Sequence, residues 1–490
     1  MWGASASSAL LVCRTSQIFE VLALTRKSLE LESGSQLTYL YGPQRSPVGR
    51  AAGAPRWGTE LYLKLLLVAI VLPEGLSFFV GDFRLSVARV LIFCSFIAAL
   101  QQLGQRLGTR TVVCVPSDIL APLTGVWMML AATVTDGPAG VKGAGIEALE
   151  FVGAYLTFRF LLGPVDSSVR IARFSCKLMI VIVGIALLDP LSDKLFTYEF
   201  IKGITGYAKL SYDGPLAIRA DTFYRDGVVR AMGPLEHSIL FGAVCVWFGV
   251  VAFTTFRHQV LGWGVAGIAL IGVWFSQARS PLLAYLIGFA LASFYAASPR
   301  FAARWKLVGL CVTALLLVVF TFSGSPVATL VRLSGVSPEA AWARQAIWDT
   351  GGPVVLGSPI FGIGLNGDWN WQSHGALVSS SVDAFWLATA MSYGIPGSAL
   401  ILLTIASACW LGSIDKSPHL TPEERRLSVA LGIVIATIAF LGFIVHFWGI
   451  CWILIAVFTG MRANLAETAI LRDRAAPAAR MRCDPITGDI

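Results

Sequence analysis

The chain has 490 residues, of which 56% are hydrophobic and only 13% charged, and its net charge is +8. Soluble domains carry about 25% charged residues, so the composition excludes a soluble globular protein and predicts an all-α, polytopic integral membrane protein. A positive charge of this size reflects orientation in a membrane, so membrane lipids, and no nucleic acid, are the expected surroundings.

Residues 1–57, basic and rich in Gly, Ser and Pro, read as a disordered arm. The first apolar run begins near Leu61, too late for a cleavable secretory signal. Crossing about 30 Å of hydrocarbon takes roughly 20 residues. Runs of that kind fall near 61–80, 85–103, 117–135, 143–163, 171–189, 235–256, 259–276, 280–297, 305–323, 384–411, 427–445 and 447–462. They predict about twelve crossings in a membrane domain 58–465, followed by a tail 466–490.

One set of connections holds Arg106, Arg170, Arg173, Arg257, Arg300, Arg304, Lys306, Arg425 and Arg426, and both termini fall on that side. The positive-inside rule makes this face, and both termini, cytoplasmic. Two long loops, 190–233 and 324–383, face outward on that topology yet carry Lys194, Lys202, Arg225, Arg230, Arg332 and Arg344. Long loops are exported regardless of charge, or these two hold an anionic ligand. Within the second loop, Ser337-Pro338-Glu339 is a helix start. The helix is expected to run to about Trp348 and stop at Gly351-Gly352-Pro353. It would lie on the outer surface with Arg344 among aromatics.

Charges at membrane depth are costly and mark function or internal pairing. Arg279 stands at a span boundary with no acid nearby in sequence. Arg89 lies in the second span; Glu147 and Glu150, three apart, share a face of the fourth; Glu236 lies at the start of the sixth. Arg–Glu pairing between helices is the plain expectation for Arg89, Glu147 and Glu150. His237 and His446 lie at outward span ends, and His374 in the second outer loop, where a neutral imidazole could accept a hydroxyl proton. The nine cysteines show no Cys-x-x-Cys spacing, so neither a metal site nor a cofactor is expected. The piece Pro359-Ile360-Phe361-Gly362-Ile363-Gly364 lacks the Gly-Lys-Ser/Thr of a phosphate loop and reads as a tight turn.

Four segments together resemble the bacterial O-antigen ligases and the O-antigen or exopolysaccharide polymerases. They are Arg230 to Ile239 entering a span; Ser276-Gln277-Ala278-Arg279-Ser280 before an apolar helix; Arg344 to Trp348 with the Pro359 to Gly364 turn; and Asp383 to Leu387 with Gly394-Ile395-Pro396-Gly397. The likeness spans roughly 60–462. Where the ligases place His-Asn, this chain has Asp383-Ala384, which is more like the polymerases.

The resemblance implies a metal-independent, inverting glycosyltransferase in the bacterial inner membrane. Its donor would be a polyprenyl-diphosphate-linked glycan and its acceptor a glycan or lipid. Arg279, Arg230, Arg225 and Arg344 are the expected diphosphate ligands, because arginine presents a planar, permanently charged donor fork. Asp383, His374 or His237 would orient or deprotonate the acceptor. A ligase transferring finished glycan is the alternative, and a non-enzymatic lipid-linked glycan transporter the second. A transporter would place charges along its whole path, whereas here they gather toward one side.

Overall fold

The computed structural model describes residues 57–483, except 74, 82, 110, 164–165, 207–222, 324–325, 334–337, 368, 370–381 and 410–419. The expected disordered arm, and His374 with it, therefore lie outside the described residues. The protein is an all-α polytopic membrane protein whose helices are α1 (Trp57–Ile70), α2 (Val87–Gly108), α3 (Pro116–Phe160), α4 (Asp166–Ala186), α5 (Leu188–Ser192), α6 (Phe196–Thr205), α7 (Ser238–Phe256), α8 (Val260–Phe275), α9 (Arg279–Ala297), α10 (Arg304–Phe322), α11 (Pro326–Leu333), α12 (Pro338–Gly357), α13 (Phe385–Ser407), α14 (Pro422–Leu441) and α15 (Ile450–Cys483). Two short antiparallel hairpins interrupt them: β1 (Ser77–Val80) with β2 (Phe83–Ser86), and β3 (Tyr224–Arg225) with β4 (Val228–Val229).

Among the described residues, eight helices are long and apolar enough to cross a membrane by length and composition, and α8 is a shorter apolar one. Helix α3 supplies two of the expected stretches. A straight helix would hold Ser117 and Tyr155 about 57 Å apart at 1.5 Å per residue, yet their hydroxyls lie 2.8 Å from each other. The chain reverses at Gly137 (φ 64°, ψ −153°), immediately before Pro138, and the two arms pack antiparallel with Gly125 against Val152. The predicted runs 117–135 and 143–163 are these arms.

Helices apolar on every side belong in a core. The most heavily buried windows are those of α7, at 94%, and α15, at 100%, so these two helices form the axis of the bundle. Helix α10, equally apolar, is only 6% buried, and its side chains face the surroundings. Helix α15 also outruns its expected span and carries Glu467 and Ala469, in the stretch expected as tail, into the buried interior.

Two expectations are corrected. The run 61–80 is not one span: α1 ends at Ile70 and, past Pro73, residues 77–86 form a hairpin whose turn is opened by Gly81 at φ +58°. Proline removes a helical donor, and Ser-Phe-Phe-Val suits a strand. The helix from Pro338 does not stop at Gly351-Gly352-Pro353 but continues to Gly357. Its Ile347 and Val355 share a small core with Leu387, Ala390 and Met391 of α13. At Gly351 a Cβ would come within 2.9 Å of Leu387, so the glycine permits close packing instead of ending the helix. Tertiary packing overrides local propensity here.

The glycine-rich turn finds its reason in α13. That helix breaks at Gly394 (φ 74°, ψ 172°), a backbone state open essentially to glycine alone. Pro359 to Gly364 docks into the break: Ile395 N–H donates to the Pro359 carbonyl at 2.8 Å and Ile363 N–H to the Met391 carbonyl at 2.7 Å. Asp136, at the tip of the α3 hairpin, accepts from Leu365 N–H at 2.8 Å. A Cβ at Gly394 would sit 1.9 Å from the Ile360 carbonyl. Gly394→Ala is expected to cost about 3 kcal/mol or more, since the backbone strain alone is worth ~1–3 kcal/mol. A fall in the midpoint of thermal unfolding in detergent is the check, and an unchanged midpoint would refute the docking argument.

Candidate functional site

The site grows out of five residues. Helix α8 ends at Phe275, and Ser276 to Ala278 turns the chain into α9, with Gln277 at φ +50°. Arginines from three other places grip this turn. Arg225, on β3, donates to the Gln277 carbonyl at 2.5 Å. Arg230 donates through Nε to the Ser276 carbonyl at 3.1 Å. Arg344, on α12, donates to Ser280 Oγ at 2.6 Å. Arg279 itself opens α9; its side chain is exposed and makes no hydrogen bond or ion pair with a described residue.

The segment holding Arg230 is anchored by a residue the sequence reading passed over. Asp189, buried in α5, accepts from Met232 N–H at 3.0 Å, Gly233 N–H at 2.7 Å and Phe196 N–H at 3.0 Å. Gly233 (φ +55°) leaves no room for a Cβ, which would lie 2.8 Å from Ala186. One carboxylate thus fixes the segment that carries Arg230 to the end of α4. Only its position just before Pro190 hinted at this.

Four arginines so close repel one another. Burial lowers the pKa of Arg230 to about 10, and Arg225 pushes the same way. Burial likewise lowers Arg344, with Arg225 and Arg279 adding to the effect and Asp383 opposing it. The carboxylate that faces this cluster is Asp383, exposed just before α13. Another of its electrostatic neighbours is His446, in the α14–α15 connection, which burial holds below the usual histidine range. His446 is therefore a neutral imidazole at pH 7. Burial shifts it against protonation more than Asp383 and the Val382 backbone favour it.

Beyond His446 lies a cavity of about 320 Å³, at the end of the bundle where α2, α7, α13 and α15 begin. It gathers the remaining predicted charges. Arg89 Nε pairs with Glu150 Oε1 at 2.6 Å, the interhelical pair expected from sequence. Glu147 Oε2 accepts from the Tyr393 hydroxyl at 2.7 Å, and its backbone carbonyl from Trp452 Nε1 at 3.0 Å. Glu236, 9% exposed, lies against Gly449, where a Cβ would come within 2.3 Å of its Oε1. His237 caps α7, its Nδ1 accepting from Ile239 N–H at 3.1 Å, and its ring meets Trp448 edge-on. Phe385, Tyr393, Trp448 and Trp452 supply the aromatic walls.

Arg225, Arg230, Arg279, Arg344 and Asp383 are thus brought together, while Glu147, Glu150, Arg89, Glu236 and His237 belong to the adjoining cavity or its rim. The sequence reading missed Tyr393, Trp448 and Trp452 because aromatics in apolar runs are ordinarily core. Fold and site together define an integral membrane protein with a cluster of four arginines and, near it, an acidic, aromatic cavity. Residues 264–402, less than a third of the chain, match a family model described as O-antigen ligase, the kind of protein that its motifs resemble. Arg279, Arg344 and Asp383 lie inside the matched stretch; Arg225 and Arg230 precede it. No curated protein matches the chain.

Proposed function

We propose that the protein is a polysaccharide polymerase that joins polyprenyl-diphosphate-linked repeat units at the outer face of the bacterial inner membrane, with both termini cytoplasmic. The observation that carries this reading is the convergence of Arg225, Arg230 and Arg344 on the turn that presents Arg279. A permanent cationic cluster costs free energy through mutual repulsion, and a bound polyanion relieves it. A diphosphate suits the planar donor forks.

In the transfer step an acceptor hydroxyl oxygen attacks the anomeric carbon of the donor. The bond from that carbon to the diphosphate oxygen breaks, and its electron pair leaves with polyprenyl diphosphate. The arginines bind the diphosphate and stabilise the charge growing on the leaving oxygen. Asp383 takes the hydroxyl proton, beside neutral His446. Attack from the face opposite the leaving group inverts the anomeric centre.

The family description names ligases, and that supports the alternative in which finished glycan passes to a lipid or protein acceptor. The size pattern of surface and lipid-linked glycans in a strain lacking the protein separates the two. Loss of the long ladder, leaving single repeat units, is expected for the polymerase. Long chains accumulating on the polyprenyl carrier would establish the ligase. An unchanged pattern would count against both and favour a transporter.

A further inference from the structure

We propose that the acidic, aromatic cavity beside Asp383 is an acceptor subsite, which takes the uncharged terminal sugar of the attacking glycan. The proposal rests on the transferase reading above and adds where the second substrate sits.

Size comes first. A space of about 320 Å³ lies at the lower end of ligand pockets, which run from about 300 to 1,000 Å³. It has room for a terminal sugar but not for a repeat unit or a polyprenyl chain. Its lining then sets the chemistry. A pyranose offers hydroxyl donors around its edge and C–H groups on its faces. Carboxylates are acceptor-only partners for the former, and aromatic rings cover the latter. Glu147, Glu150 and Glu236 supply carboxylates, and Trp448, Trp452 and Tyr393 supply rings.

These groups are held in place before any sugar arrives. The Tyr393 bond uses one carboxylate oxygen of Glu147 and leaves the other for a ligand. Trp452 is fixed by its indole bond to the Glu147 carbonyl and by stacking on Phe151 at 4.5 Å. Gly449, at φ +51°, brings the backbone past Glu236 where no side chain would fit. Such preorganisation lowers the ordering cost of binding.

Charge decides which substrate enters which compartment. Three glutamates and two arginines, Arg84 and Arg89, line the cavity, whereas the cluster of Arg225, Arg230, Arg279 and Arg344 has Asp383 within electrostatic reach of Arg344. A diphosphate is repelled from the first and drawn to the second; a neutral sugar is indifferent to sign and follows its hydrogen bonds. The two compartments meet at one place. His446 and Phe385 line the cavity, and Asp383 lies two residues before Phe385, within electrostatic reach of His446 and Arg344. A hydroxyl leaving the cavity therefore meets Asp383 next to the arginines.

The test uses the full chain in lipid nanodiscs with two probes. One is the free oligosaccharide repeat unit released from the host's own polysaccharide, carrying no phosphate; the other is undecaprenyl diphosphate. Binding of the first is followed by saturation-transfer NMR, and of the second by equilibrium filtration. Glu147→Gln is expected to weaken the oligosaccharide about tenfold or more, as loss of a charged hydrogen-bond acceptor does, and to leave undecaprenyl diphosphate unchanged. Arg279→Ala is expected to do the reverse. If Glu147→Gln does not fold, Trp448→Ala at the cavity wall gives the same reading. Wild-type oligosaccharide affinity in the folded cavity variant overturns the proposal while leaving the transferase reading intact. A wild-type protein that binds no undecaprenyl diphosphate overturns both.

Discussion

Arg279→Ala is expected to lower glycan transfer by about a thousandfold or more, the scale on which a transition-state arginine acts in other phosphate chemistry, while the protein remains folded in the membrane. The two halves of that expectation have separate grounds. Arg279 is exposed and bonded to no described residue, so its removal breaks no hydrogen bond or ion pair among the described residues. The turn that carries it is secured by Arg225, Arg230 and Arg344, each of which spends a donor on that turn. Arg279 is the member of the cluster whose guanidinium makes no hydrogen bond or ion pair with a described residue, which is why it is proposed to meet the substrate. Lysine at this position keeps the charge without the fork and is expected to restore only part of the activity. Complementation of a strain lacking the protein, read as the glycan ladder with membrane content measured in parallel, is the check. Wild-type ladders from the alanine variant would sink the scheme.

Arg159→Met is expected to act on the fold instead, costing about 3–5 kcal/mol because it strands buried charges. Arg159, with no exposed surface, sits at the end of the bundle opposite the site, so buried charges do not gather on one side alone as the sequence led one to expect. It donates to Asp118 Oδ1 at 2.8 Å and Oδ2 at 3.0 Å, to Glu467 Oε2 at 2.6 Å and to the Val113 carbonyl at 3.1 Å. Arg106 reaches the same Glu467 oxygen at 3.1 Å, and the Tyr155 hydroxyl donates to Asp118 at 2.6 Å. This network ties the two arms of α3 to the central helix α15. Methionine keeps much of the length of arginine but leaves two carboxylates facing one another in an apolar interior. The amount of folded protein in membranes and its thermal midpoint in detergent should both fall. Adding Asp118→Asn and Glu467→Gln to the variant should recover part of the loss. A single variant as stable as wild type would show that water reaches these carboxylates.

The same contrast explains how much of the molecule was readable from its residues. Arg89 and Glu150 were expected to pair and do, because both stand out as charges within apolar runs. Arg159 also stands within such a run, but its partners lie 41 and 308 positions away, and no local pattern links them. The turn Pro359 to Gly364 was legible as a tight turn, since its glycines permit little else. Its place in the break of α13 was not, because that depends on a carbonyl from one segment meeting an N–H of another. Pro353 and the Gly351-Gly352 pair read as a helix end and are not one, since burial of Ile347 and Val355 against α13 outweighs the local penalty.

By itself, the sequence determined the solvent and singled out the charges that stand within it. Hydrophobic transfer is additive along a chain, so long apolar runs specify a helical membrane protein without knowledge of their neighbours. The cost of a guanidinium at membrane depth likewise marks Arg279 from sequence position alone. Only the tertiary structure decided which charges share a site. Ionic and hydrogen-bonded contacts act over a few ångströms, and in this chain those distances are set by how α3 folds back, how α13 breaks and where Asp189 pins the segment before α7. The separation of an arginine cluster from an acidic, aromatic cavity follows from that packing, and no span of the sequence contains it.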